Sequence, residues 1–175
     1  MRLFHVSEDH NIQIFHPRKP YRKDLTSEEG LVWALCERTL PNFLTPRNCP
    51  RVTFHVSKDT KQEDINQYFQ NKKSQHAIYV EKDWLEQIDQ TTLTIYEFDP
   101  KNFVLQDEVA GYYVSKHIEV PIASYQITNL RKALEAFEIE FHAVDELFDI
   151  MHQIQQSSFH WSMCRMGFAK KKHKE

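Results

Sequence analysis

The sequence predicts an α+β fold with a mainly antiparallel, split sheet and flanking helices, and three observations lead there. Short runs of strand chemistry recur along the chain, among them "RLFHVS", "RVTFHVS" and "TLTIYEFD", rich in β-branched and aromatic residues. Helical periodicity is confined to a few brief stretches such as "DELFDIMHQIQQ". These helices interrupt the strands irregularly, without the steady alternation of a parallel βαβ sheet.

Taken in order, "RLFHVS" is a first strand that carries His5 and Ser7 at its end, and "EDHNIQIFHPRKPYRKDLTSEEG" is an irregular passage in which Pro17 and Pro20 bar a helix. "LVWALC" is a second strand bounded by Gly30, and "LPNFLTPRNCP" a loop punctuated by proline. "RVTFHVS" alternates as a strand whose inward set is Val52, Phe54 and Val56 or its complement. "TKQEDINQYFQNK" sets Ile65, Tyr68 and Phe69 at helical spacing, with Asp59 or Thr60 as cap. "HAIYVEKDWLEQI" is a strand followed by a turn or short helix, "TLTIYEFD" is the clearest strand, and "GYYVSKHIEVPI" a bent strand or strand pair. "NLRKALEAF" makes a helix, "EIEFHAV" a strand, and "DELFDIMHQIQQ" a helix capped by Asp145 with Leu147, Ile150, Met151 and Ile154 on one face. "HWSMCRMGFA" closes against the sheet, with Arg165 placed for one salt bridge or an anion.

Length and charge bound the rest. A chain of 175 residues is the size of one ordinary domain, which places a single globular unit over residues 1–169 and a basic disordered tail over 170–175. That tail, "KKKHKE", has a net charge of +3, so the body carries −6 of the overall −3 balance. A mildly acidic body argues against the phosphate-tracking surface of a nucleic-acid binder. Three scattered cysteines, Cys36, Cys49 and Cys164, fit reduced thiols, and no apolar run approaches a membrane span; together with a start unlike a signal peptide, these predict a cytoplasmic protein with no membrane partner. With only 3 Gly, neither a phosphate loop nor a Rossmann fingerprint can be built.

The candidate chemistry is sparse. Ten histidines include no H-E-x-x-H, and Glu138, His142 and Glu146, four apart, lie where "EIEFHAV" alternates as a strand, so no metal site is expected. No cysteine has surroundings that would lower its pKa. "FHVS" occurs twice, at residues 4–7 and 54–57, but its flanks diverge and no repeat follows. In "LPNFLTPRNCPRVTF", Arg47 and Arg51 can face a phosphate or pair with the acidic body. His5 and Ser7 mark a strand end where either a groove opens or a backbone carbonyl satisfies the imidazole; His55 reads as structural.

The order of "LFHVS", "NIQIFHPRKP", "LVWAL", a helix, "TIYEFDPKNF" and "YYVSKHIEVP" is similar to compact members of the ADP-ribosyltransferase-like superfamily, over residues 3 to 122. The resemblance implies NAD as substrate, with His5 on the ribose hydroxyls and Trp33 stacked on the nicotinamide. It implies a glutamate where this chain has Tyr112, just before Tyr113, Val114 and Ser115, so the acid falls to Glu108 or Glu119, and a tyrosine supplies no negative charge for an oxocarbenium-like ribose. "RLFHVSE", "PRNCPRVTF" and "WSMCRMGFA" resemble an uncharacterised family of small bacterial proteins, a domain of unknown function, over nearly the whole chain.

Three functions follow as expectations. One is an NAD-dependent ADP-ribosyltransferase or glycohydrolase with His5, Ser7, Trp33, Tyr112 and Tyr113 around the ligand, Arg18, Arg47 or Arg51 on the pyrophosphate, and Glu108 or Glu119 as acid. The second is a module that keeps a groove for a nucleotide or another phosphorylated small molecule without turnover. The third is an interaction protein whose groove is filled by its own side chains and whose partner is another protein or a second copy, as a homodimer.

Overall fold

The computed structural model describes residues 1–19, 30–71 and 73–170. The chain divides into two compact units, Met1–Phe43 with Thr92–Ile127, and Leu44–Thr91 with Thr128–Glu175. Among the described residues the fold is α+β with mainly antiparallel pairing and four α-helices. The predicted basic tail, apart from Lys170, lies outside the described residues, as does Pro20.

In the first unit, β1 (Leu3–Ser7), β2 (Val32–Cys36), β5 (Leu93–Phe98), β6 (Val104–Asp107), β7 (Tyr112–Ser115) and β8 (Ala123–Ile127) form one sheet in the order β6-β7-β2-β1-β5-β8. Every pairing is antiparallel. The sequence leaves β6 and β8 unassigned, and both are edge strands with mostly exposed side chains, so neither shows the buried alternation that marks a strand. Leu3, Val32, Ala34, Tyr96 and Phe98 build one face, closed by Phe15 and Phe103 with Ile12 beside them. The irregular passage after β1 is pinned to that face. Tyr96 Oη donates to the Asp9 carbonyl at 2.7 Å and accepts the Ile12 amide at 3.0 Å, while Phe15 and Glu119 exchange backbone bonds at 2.8 and 3.0 Å. Gly111 holds φ +66 before β7, and a Cβ there would stand 2.5 Å from both Cys36 Sγ and Thr39 Oγ1, so only glycine fits.

In the second unit, β3 (Arg51–His55), β4 (His76–Glu81), β9 (Glu140–Val144) and β10 (His160–Cys164) lie in the order β10-β3-β4-β9. Among the described residues of this sheet, β4 and β9 pair in parallel and the other pairs are antiparallel. Of the two inward sets offered for β3, Val52, Phe54 and Val56 join the core with Phe69, Leu147, Ile154 and Phe159. Helices α1 (Gln62–Tyr68) and α4 (Phe148–Gln155) supply that layer, and Ile150 and Met151 pack there beside Leu147 and Ile154 as the periodicity predicts. Short helices α2 (Leu85–Gln90) and α3 (Leu130–Ala136) are tied by Arg131 to Asp89 at 2.6 Å.

Two predicted caps are corrected. Neither Asp59 nor Thr60 caps α1; the N-cap is Lys61, whose amide donates to Ser158 Oγ at 2.7 Å, while Thr60 Oγ1 accepts the Ser57 amide at 2.8 Å. At α4 the capping acid is Glu146, accepting the amides of Phe148 and Asp149 at 2.6 and 3.2 Å, because Asp145 is turned to Lys82 at 3.0 Å. At α1 a residue distant in sequence, Ser158, meets the first amide, and at α4 the role passes to the next residue, Glu146, because the distant Lys82 engages Asp145.

Candidate functional site

In the first unit, strand register separates the residues proposed to share a groove. Leu3 pairs with Cys36 and Phe4 with Leu35, so His5 and Ser7 point to the face of Val32, Ala34 and Cys36, whereas Trp33 points to the opposite one. Val32 opposite Ser115 and Leu35 opposite Tyr112 place Ser115 and Tyr113 with His5, and Tyr112 with Trp33. The structure thus brings together His5, Ser7 and Tyr113 on one side and Trp33 with Tyr112, 5.7 Å apart edge to face, on the other. One planar ligand cannot lie on His5 and stack on Trp33 across the sheet between them.

The His5 side is partly covered, with His5, Ser7 and Tyr113 each half-buried. The His5 ring meets Phe15 edge-on at 5.0 Å, and Nδ1 lies 3.1 Å from the Trp33 carbonyl. A carbonyl only accepts, so Nδ1 is the protonated nitrogen. Ser7 Oγ accepts the Asp9 amide at 3.0 Å and closes the turn. Glu119 is buried, and the Ser115 hydroxyl donates to its carboxylate at 2.5 Å while also accepting the His117 amide at 3.0 Å. Glu108 is exposed, and its carbonyl takes Arg38 Nη2 at 2.7 Å. Arg18 exchanges backbone bonds with Leu31 and is exposed.

In the second unit a different set of groups meets. The pairings His55 with His76 and His160 with His55 put three histidines on one rung of β10, β3 and β4, all on the face opposite Phe54. The His55 ring lies 5.5 Å from His76 and 5.5 Å from His160. His55 and His76 are each 8 % exposed, and His160, on an edge strand, is half-buried. The same face continues through Thr53 and Ser162 to Arg51 and Cys164. Arg51 is buried and its Nη1 donates to the Cys49 carbonyl at 2.9 Å, while Arg47 is exposed. Burial pushes the Cys49 thiol up to about 12, so it stays protonated at neutral pH and is no nucleophile.

The row shares its face with Ile78 and Val80, which pair with Thr53 and Arg51 and are buried. Each neutral imidazole carries one donor and one acceptor nitrogen. Sequence reading took His55 as structural and gave His76 and His160 no role. The available signal was that each stands at a strand terminus, in "TFHV", "HAIYV" and "FHWSM"; only the register brings those termini together. Among the described residues, no group of three or more His, Cys, Asp or Glu is arranged to hold a metal ion, and no helix is long and apolar enough to cross a membrane.

These features define an α+β protein with two mainly antiparallel sheets and a histidine row on one of them. The chain belongs to a family of unknown function (DUF6886), whose family model matches residues 4–169. No curated protein and no solved structure matches it.

Proposed function

We propose that the chain binds a phosphorylated small molecule of the nucleotide class, with its phosphate against His55 and its two histidine neighbours. The observation that carries this is the row itself, three imidazoles at 5.5 Å spacing on one rung, with Arg51 further along the same face. The ADP-ribosyltransferase-like resemblance makes NAD and ADP-ribose the first ligands to try. Transfer of ADP-ribose by the usual route is disfavoured, since Tyr112 stands where the acid is expected and the Ser115 hydroxyl already engages the buried Glu119. Glu108 remains as the exposed acid.

The test is a thermal-shift series with NAD, ADP-ribose, ATP and inorganic phosphate. A ligand at 100 times its dissociation constant adds about 2.7 kcal/mol to the native state, or roughly 5–11 °C for a chain of this size. The shift should vanish in His55→Ala and persist in His5→Ala. Loss in His5→Ala with retention in His55→Ala would move the ligand to the first unit and refute this site.

A second reading has its own observation. Ile118, Val120 and Ile122 are 58 %, 60 % and 64 % exposed at every second position, while Glu119 between them points inward. Such an outward aliphatic strip suits an interaction protein, including a homodimer. A monomer by light scattering at all concentrations would remove the homodimer, and unchanged behaviour of Val120→Lys would weaken the wider reading.

A further inference from the structure

We propose that the outer edge of β10 takes up an extended peptide segment of another protein as an added antiparallel strand, and that this segment carries a carboxylate side chain. The site is separate from the histidine row. Strand β10 keeps an unbroken register of five residues with β3, and among the described residues nothing pairs with its other side. Its sequence, "HWSMC", holds none of the charges or prolines that ordinarily guard an edge strand. The Thr53 hydroxyl donates to the Ser162 carbonyl at 3.1 Å, so that carbonyl is turned inward to β3, and strand alternation then turns the backbone N–H and C=O of Trp161 and Met163 outward. Both residues offer a donor and an acceptor to an incoming backbone.

The side chains at this edge set the chemistry of the partner. Trp161 is 40 % exposed, and among the described residues its indole has no ring contact and no hydrogen bond. Exposed tryptophan is the residue type that most often anchors a binding surface. Arg165, just past the strand, holds φ 58 and ψ 26, a left-handed conformation that glycine adopts without strain. What an arginine adds at that position is its guanidinium, which is exposed and makes no ion pair among the described residues. The salt bridge expected of it is thus left for a carboxylate from outside. From Arg165 the chain crosses the end of the sheet to β4, where Glu81 accepts the Lys170 amide at 3.1 Å, and so does not return along β10. The last eleven residues hold Arg165 and four lysines against one glutamate, so the field at this end of an otherwise acidic chain favours an acidic partner. A free strand edge selects a peptide over a nucleic acid, because only a peptide continues the ladder. Antiparallel pairing sets the carboxylate near the N-terminal end of the segment, about 13 Å from the residue facing Trp161.

The experiment titrates the full chain with an acetylated, amidated peptide of two aspartates followed by alternating valine and threonine, and follows the ¹H–¹⁵N amide spectrum. Saturable shifts are expected at the Trp161 and Met163 amides and at the Trp161 indole N–H. Arg165→Gln and Trp161→Ala should each weaken binding by about tenfold. A peptide with lysines in place of the aspartates should bind at least about tenfold more weakly. Met163→Pro removes an outward N–H and leaves the ladder to β3 in place, so it should abolish binding in a chain that still folds. Should Met163→Pro fail to fold by circular dichroism, Arg165→Gln and Trp161→Ala decide alone. No binding of the acidic peptide, equal binding of the lysine peptide, unchanged affinity in a folded Met163→Pro, or tighter binding of oligothymidylate overturns the proposal.

Discussion

Phe4-His5-Val6-Ser7 in the first unit and Phe54-His55-Val56-Ser57 in the second share four residues and a local turn. In each, the serine hydroxyl accepts the amide of the aspartate two positions on, at 3.0 Å from Asp9 and 3.3 Å from Asp59. Beyond that turn they diverge. His5, half-buried, lies edge-on to the buried Phe15, whereas the buried His55 sits between two more histidines on a face that it shares with Thr53 and Ile78. Phe54 anchors a core with Tyr68, Phe69, Tyr79 and Phe159, while Phe4 lies under the Arg2 guanidinium at 5.0 Å. Four residues encode a turn; what the histidine before it does is decided by the strand paired beside it.

That contrast is sharpened by substitutions of graded effect. Phe54→Ala should cost about 3–5 kcal/mol in urea unfolding, since a ring at 0 % exposure with four aromatic neighbours leaves a cavity its surroundings cannot close. Gly111→Ala should cost more than about 2 kcal/mol, from a left-handed φ and from the contacts with Cys36 and Thr39. Tyr96→Phe should cost about 1–3 kcal/mol, because the Ile12 amide loses its acceptor. It should also speed amide exchange across residues 9–15 with little effect on the second unit. Equal exchange in wild type and Tyr96→Phe would show that the passage over His5 is held by something other than Tyr96.

The smallest effects are ionic and have a definite sign. The Ser158 hydroxyl and amide hold the Asp64 carboxyl below its usual range, and the Arg2 fork, at 2.8 Å for both nitrogens, does the same for Glu97. A carboxyl lowered in the folded state contributes stability above its ordinary pKa and loses it as pH falls toward the folded value. Stability should therefore decline below about pH 4.5, and Asp64→Asn and Glu97→Gln should each flatten that decline. Asp64 is half-buried and Arg2, the partner of Glu97, is half-exposed, so solvent screens both interactions and each change should be small. A steeper decline in either variant would contradict the assignment.

Much of the fold is legible where burial writes a period into the sequence. The strands around Phe4, Trp33, Phe54 and Ile95 and the α4 face of Leu147, Ile150, Met151 and Ile154 follow from apolar spacing alone. The edge strands β6 and β8 escape because their side chains face solvent, and the caps of α1 and α4 because Ser158 and Glu146 do what local propensity assigns to Asp59, Thr60 and Asp145. The candidate site is the least legible part. His55, His76 and His160 are far apart in the chain and only two antiparallel registers make them neighbours, while a single residue of parity sends Trp33 away from His5.

The central claim is that the second histidine, not the first, meets the ligand. Long-range ¹H–¹⁵N spectra of the imidazoles, recorded while ADP-ribose and then inorganic phosphate are titrated in, test it directly. The account predicts that the ring nitrogens of His55, His76 and His160 shift together and saturate while those of His5 stay in place. Movement of His5 with a silent row would contradict it.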